Sequence, residues 1–247
     1  MAMKILDNTE SPKKGRAHYL IKIGGVSYSY CYIRKNAYSA FKDLFRNESS
    51  FRMDRGSSLA NMSYYHSCSI DEVENSDFRI VILREPISRV ASVFQNKFIQ
   101  QLGFEDIFFN YRQITGSDPY TATFNDLIFQ YLKNPLISLD VHLHPQSWHL
   151  YPIRYNAACE IKDLYEMSIN IFGRTIADRY FKIKKNKSAG EQTETAYCLD
   201  VPASQLRSRY LETGKMPDLS QMISDEQVQL LNHIYQMDID LYRKISC

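Results

Sequence analysis

Two short segments carry a cation where an apolar run gives way to a helical one. In Tyr32-Ile33-Arg34-Lys35-Asn36-Ala37-Tyr38-Ser39-Ala40-Phe41-Lys42 the cation is Lys35, with Ser39 one turn on. In Phe78-Arg79-Ile80-Val81-Ile82-Leu83-Arg84-Glu85-Pro86 it is Arg84, with Ser92 eight residues later. A helix N-terminus offers amide donors and the positive end of a dipole, and an adjacent Lys or Arg completes a phosphate cradle. Two such units suit a ligand with two separated phosphate groups. Each cation has a plainer reading. Taken alone, Lys35 reads more readily as a solvated lysine with Ser39 as a helix-cap serine, and Arg84 could pair with Glu85 or a surface neighbour. Arg89, on the second helix, reads as a solvated face residue. Gly-x-x-x-x-Gly-Lys-Ser/Thr is absent, so neither segment is a Walker A loop.

The third chemical feature is the histidine group His142, His144 and His149. On a strand His142 and His144 would share a face, but only Asp140 stands beside them as a further ligand, which leaves a metal site poorly supported. One histidine acting as a general base near neutral pH suits the group better. Hydrogen-bonded structural histidines remain the other reading, above all for His149 and His144.

The elements that must position these residues follow from apolar spacing. His18–Ile33 predicts a hairpin turning at Gly24-Gly25. A helix is predicted from about Ala37 to Arg46, and over 47–70 a long Ser-, Asn- and Arg-rich loop, with room for a short helix, that carries Arg52 and Arg55. Phe78–Leu83 predicts a buried strand, and Pro86 suits the first turn of a helix running to about Gln101. Thr123–Lys133 has the 3.6 period of a helix. Tyr155–Ile161 predicts a strand, followed by a helix that stops at Gly173. Lys182 to Thr193 reads as a basic flexible stretch. A single terminal amphipathic helix is predicted after the cap-like Ser224. Residues 1–16 read as a flexible N-terminus and 17–247 as one domain.

The bulk properties limit the function classes. At 247 residues the chain can build a full α/β core. Lys+Arg 30 against Asp+Glu 28 gives a net charge of +2, which argues against a general nucleic-acid or membrane-surface binder and leaves room for a local basic cleft. The five cysteines are scattered, form no C-x-x-C and read as reduced thiols of a cytoplasmic protein. There is no secretion signal and no apolar window approaching the ~20 residues of a membrane span.

Together the motifs resemble those of the carbohydrate sulfotransferases of the sulfotransferase family 2 group, in its soluble bacterial form. Ile33 to Lys42 is similar to the group's I-P-K-x-A/G-x-T/S-x-W/F-K loop. Leu83 to Phe98 is similar to its R-x-P-x-x-R-x-x-S-x-Y/F-x-N-K-F segment. His142-Leu143-His144-Pro145-Gln146 is similar to its H-W-x-P-Q segment. Weaker echoes are Asn186-Lys187-Ser188 and the terminal helix around Ile234–Tyr242. The resemblance implies a P-loop-kinase-like three-layer α/β fold, a central parallel sheet flanked by helices. It implies 3′-phosphoadenosine-5′-phosphosulfate (PAPS) as donor, adenosine 3′,5′-bisphosphate (PAP) as product, and a carbohydrate or glycoconjugate hydroxyl as acceptor. By matching positions, Arg34, Lys35, Asn36, Ala37, Tyr38 and Ser39 would bind the 5′-phosphosulfate, Arg84 and Ser92 the 3′-phosphate, and His142 would be the base beside a catalytic Lys35. No metal is implied. Arg34 replaces the usual Pro, Leu143 the usual Trp, and Lys162-Asp163 stands where many members carry Glu. A kinase of the same fold would require a Walker A loop. A non-catalytic nucleotide-binding module would have no need of Lys35, Arg84, Ser92 and His142 together.

Overall fold

The computed structural model describes residues 3–51, 58–182 and 198–246. Arg52, Arg55, the basic stretch after Lys182 and Asn186-Lys187-Ser188 lie outside the described residues. The strands are β1 (Lys4–Asp7), β2 (His18–Ile23), β3 (Val26–Cys31), β4 (Phe78–Leu83) and β5 (Arg154–Glu160). The α-helices in chain order are α1 (Tyr38–Glu48), α2 (Ser58–His66), α3 (Ile70–Glu74), α4 (Pro86–Phe94), α5 (Glu105–Thr115), α6 (Phe124–Asp126), α7 (Leu164–Phe172), α8 (Arg174–Tyr180), α9 (Ala203–Thr213), α10 (Leu219–Met222), α11 (Asp225–Ile234) and α12 (Gln236–Ser246). The chain gathers into two compact units. A sheet unit comprises Met1–Arg84, Pro145–Lys185 and Asp240–Cys247, and a helical unit comprises Glu85–His144 and Asn186–Ile239.

In the sheet unit the strand order is β1-β5-β4-β3-β2. β3, β4 and β5 are parallel, and the edges β2 and β1 run antiparallel to them, so the sheet is mixed with a parallel centre. β4 is buried on both faces, which its unbroken Ile80-Val81-Ile82-Leu83 run requires. Ile80 and Ile82 share a face with Tyr28, Tyr30, Ala157 and Cys159, covered by α1, α2, α7 and α8 through Phe41, Met62, Met167 and Tyr180. Val81 and Leu83 face Cys31, Tyr155 and Ala158, covered by α3 and α12 through Val73, Leu241 and Ile245. The fold is thus α/β with helices on both sheet faces. The parallel strands end at one edge, where β3 leads to Lys35, β4 leads to Arg84 and β5 closes on Glu160.

The hairpin turns at Gly24 and Gly25, both at positive φ. Residues 3–16, expected to be flexible, contain β1 and hydrogen-bond to the rest of the sheet unit. β1 pairs with β5, Asn8 N donates to Ile153 O at 3.1 Å, and Arg16 N donates to His149 O at 3.0 Å. Gly15 fixes this course: at φ +72 a Cβ there would stand 2.4 Å from Tyr151 Cδ1.

In the helical unit a core of Phe94, Phe98, Phe108, Phe124, Tyr131 and their neighbours packs around α4. The helix predicted to Gln101 changes character at Gln95, where a π-helix runs to Ile99 and Gln100 N donates to Gln95 O. A second π-helix, Leu127–Tyr131, follows α6. The predicted single terminal helix is two, α11 and α12, broken at Tyr235. Among the described residues, no helix is long and apolar enough to cross a membrane, and Cys31, Cys68, Cys159 and Cys198 form no disulfide.

Candidate active site

The loop from β3 to α1 is built around Asn36. This side chain is fully buried, and its Nδ2 donates to Ile82 O at 2.8 Å and to Gln146 Oε1 at 2.5 Å. Asn36 N donates to Ile33 O at 3.2 Å, and Tyr30 OH donates to Asn36 O at 3.3 Å. On either side of it the backbone is left-handed, at Lys35 (φ 72) and Ala37 (φ 59). For residues with a Cβ this conformation costs on the order of 1–2 kcal/mol each, and it persists only where the surroundings impose it. Ala37 is the N-cap of α1 and has no side chain to accept from the first-turn amides. The helix thus opens without the usual Ser, Thr, Asp or Asn, behind a lysine. A donor set of main-chain amides plus Lys35 fits an anion. Arg34 lies close enough to hydrogen-bond the Tyr32 side chain, and that phenol is pushed up to about 12 by burial, with Arg34 opposing. Tyr38 meets Tyr32 edge-on at 5.8 Å and carries Lys42 Nζ over its ring at 4.9 Å. Ser39 is the second residue of α1.

Arg84 follows β4 directly and is half-buried. Its backbone is held by one side chain: Arg84 N donates to Gln146 Oε1 at 3.0 Å, and Gln146 Nε2 donates to Arg84 O at 2.8 Å. Asn36 and Arg84 are therefore brought together through Gln146.

The second strand-cation-helix unit departs from the expectation of open amides. Pro86 has no N–H at the first position of α4, and the Glu85 carboxylate accepts from Ile87 N at 3.0 Å and Ser88 N at 2.6 Å. The helix N-terminus is filled by the chain's own anion. The Ile87 and Ser88 amides are thus engaged and not open to a ligand. Ser92 lies in α4 and is 2% exposed.

In the helical unit His142 is held on two sides. Asp140 Oδ1 accepts from His142 N at 2.9 Å and lies 2.6 Å from His142 Nδ1, both residues being buried. A carboxylate at that distance accepts a hydrogen bond from Nδ1–H, which leaves Nε2 as the basic ring atom. Arg89 Nη2 donates to His142 O at 3.0 Å. The expectation of a solvated Arg89 is corrected here: it is 1% exposed on a helix buried nearly all round, with Asp238 and Tyr235 near its charge. The segment 139–144 is not a strand. His144 Nε2 donates to Leu139 O at 2.9 Å, which makes it structural, and Tyr235 OH donates to Leu143 O at 2.7 Å. His149 is buried in the sheet unit, where its carbonyl accepts from Arg16 N. Among the described residues no cluster of three or more His, Cys, Asp or Glu is placed to hold a metal ion.

Sequence reasoning missed Arg89 and the roles of Gln146 and Asp140. The H-x-x-x-Q spacing was the available signal for Gln146, and Asp140 stood two residues before His142. It also passed over Glu160, a 3% exposed carboxylate at the end of β5 that accepts from Tyr242 OH and lies 3.0 Å from Lys162 Nζ. The Asn96-Lys97-Phe98 part of the motif is structural: Lys97 Nζ donates to Leu102 O at 2.8 Å and Gly103 O at 2.6 Å, and Phe98 is core.

Compared with curated proteins and with solved structures, the chain has no significant match. The sequence model of the sulfotransferase family matches residues 26–244, a span that runs through both compact units. With a strained lysine loop joined to the arginine that follows the neighbouring strand, and with that match over nearly its whole length, the chain belongs to the sulfotransferase family.

Proposed function

We propose that the protein moves the sulfuryl group of PAPS to a hydroxyl of a carbohydrate or glycoconjugate, releasing PAP, with residues 17–247 acting as one P-loop-kinase-like sulfotransferase domain. The observation that carries this reading is the Asn36–Gln146–Arg84 link, which holds a lysine-bearing anion loop beside a second cation. PAPS, when bound, supplies the group that moves: its sulfur–oxygen bond to the phosphate breaks as the bond to the acceptor oxygen forms. The residues of the chain do the rest. Arg34, Lys35 and the amides from Asn36 to Ser39 bind the 5′-phosphosulfate, and Lys35 offsets the charge left on the departing phosphate. Arg84 and Ser92 hold the 3′-phosphate. His142 takes the hydroxyl proton at Nε2, while Asp140 keeps its tautomer and stabilises the imidazolium. The scattered cysteines support a reducing, cytoplasmic setting.

Calorimetric titration with PAP, beside ATP and AMP, tests the donor assignment. PAP is expected to bind in preference, and Arg84→Ala to weaken it about 10- to 100-fold, the value of a charge-assisted phosphate contact. ATP binding as tightly as PAP would overturn the reading in favour of a phosphotransferase. No binding of either would point to a module without donor chemistry.

A further inference from the structure

The β3–β4 ladder runs only to Tyr30↔Ile80, because β3 ends at Cys31 and its chain turns away into the Lys35 loop. Beyond that point the backbone of β4 has no β3 partner, and two buried side-chain amides take over. Asn36 Nδ2 donates to Ile82 O, and Gln146 serves Arg84, donating to its carbonyl and accepting from its amide. Gln146 Oε1 receives a second bond, from Asn36 Nδ2 at 2.5 Å. Gln146 is fully buried, and with Nε2 given to Arg84 O its amide can sit in only one orientation. One side chain therefore fixes the spacing between the loop that carries Lys35 and the backbone of Arg84.

We propose that Gln146 is a positioning residue that sets the distance between the two phosphate subsites, so that its amide is worth more to a ligand with both phosphates than to a ligand with either one. The proposal rests on the PAPS reading above. A ligand with two anchors gains from the second only when the subsites are held at its own spacing. Removing the tie leaves the direct contacts of each subsite in place and loosens their separation.

The experiment measures binding of PAP, 3′-AMP and 5′-AMP to the full chain and to Gln146→Met, which keeps length and bulk without the amide. For the wild type, PAP should bind well above either monophosphate. In Gln146→Met that preference should fall about tenfold (about 1.4 kcal/mol) while the monophosphate affinities change little. A uniform loss for all three ligands, with the preference kept, would make Gln146 merely structural and overturn the proposal with the donor reading intact. No preference for PAP in the wild type would overturn the donor reading, and the proposal with it. If Gln146→Met does not fold, Gln146→Asn carries the same test. It keeps a neutral amide but is one methylene shorter, so it cannot hold Asn36 and both backbone groups of Arg84 together, and an unchanged preference there would equally overturn the proposal.

Discussion

His142 is defined by what Asp140 and Arg89 do to it. Asp140 orients the ring and Arg89 fixes the backbone, at 2.6 Å and 3.0 Å. Burying a guanidinium and a carboxylate in one unit is costly unless each is bonded, and both are bonded to the same histidine. Asp140→Asn should leave the loop folded, because an amide can accept the same bonds. It removes the charge that stabilises the imidazolium and allows the wrong tautomer. Turnover is expected to drop by about 10²- to 10⁴-fold with PAP affinity unchanged, read by acceptor sulfation beside calorimetry. Unaltered turnover would remove His142 from the role of base.

At the scale of elements, α1 and α4 start from nearly the same pattern and finish differently. α4 carries Glu85 at its N-cap and Pro86 behind it, so its end is satisfied internally. α1 carries Ala37 at its N-cap in a left-handed conformation, so its end has no capping side chain and is strained. Glycine populates that region without penalty. Ala37→Gly should therefore stabilise the protein by up to about 1 kcal/mol in denaturant unfolding, net of the greater freedom glycine gives the unfolded chain. A clear loss of stability would mean that the left-handed turn at Ala37 is not the conformation in solution. The π-helix after α4 and the break at Tyr235 were hidden in a continuous apolar period. A one-residue change in hydrogen-bond span leaves that period almost intact, and the bond from Tyr235 OH to Leu143 O is a tertiary contact.

For the molecule as a whole, a buried histidine links stability to pH. His18 is 1% exposed, stacks on Tyr151 at 4.0 Å and lies 2.8 Å from Tyr155 OH. Burial lowers its pKa to about 4, partly opposed by the bond to the Arg16 carbonyl. In the unfolded chain the ring takes its proton near 6.5, before the folded state can. Stability is then lost as pH falls from about 6.5 to 4, by up to about 3 kcal/mol from this group. Denaturant midpoints taken between pH 7 and pH 4.5 should show that slope, and His18→Gln should flatten it. Equal slopes in the two proteins would show that His18 is exposed or already paired. His66, also lowered by burial, acts in the same direction.

The apolar runs and their turn residues were legible in the chain itself. They placed β2 to β5, the turn at Gly24-Gly25, the stop of α7 at Gly173 and the cations after β3 and β4, because period, glycine and proline act over a few neighbouring residues. Local order could not show β1. Lys4–Asp7 is only four residues long and lies in a polar stretch, and it becomes a strand only by pairing with β5 across about 150 residues of sequence. Local order also could not tell an open helix end from a capped one, or a solvated Arg89 from a buried one, because capping and burial are decided by which groups arrive from elsewhere. The same holds for Gln146. Its residue type was visible next to His142, but its work lies in bonds to Asn36 and Arg84, 110 and 62 residues away, which exist only once β4 has been laid beside the Lys35 loop.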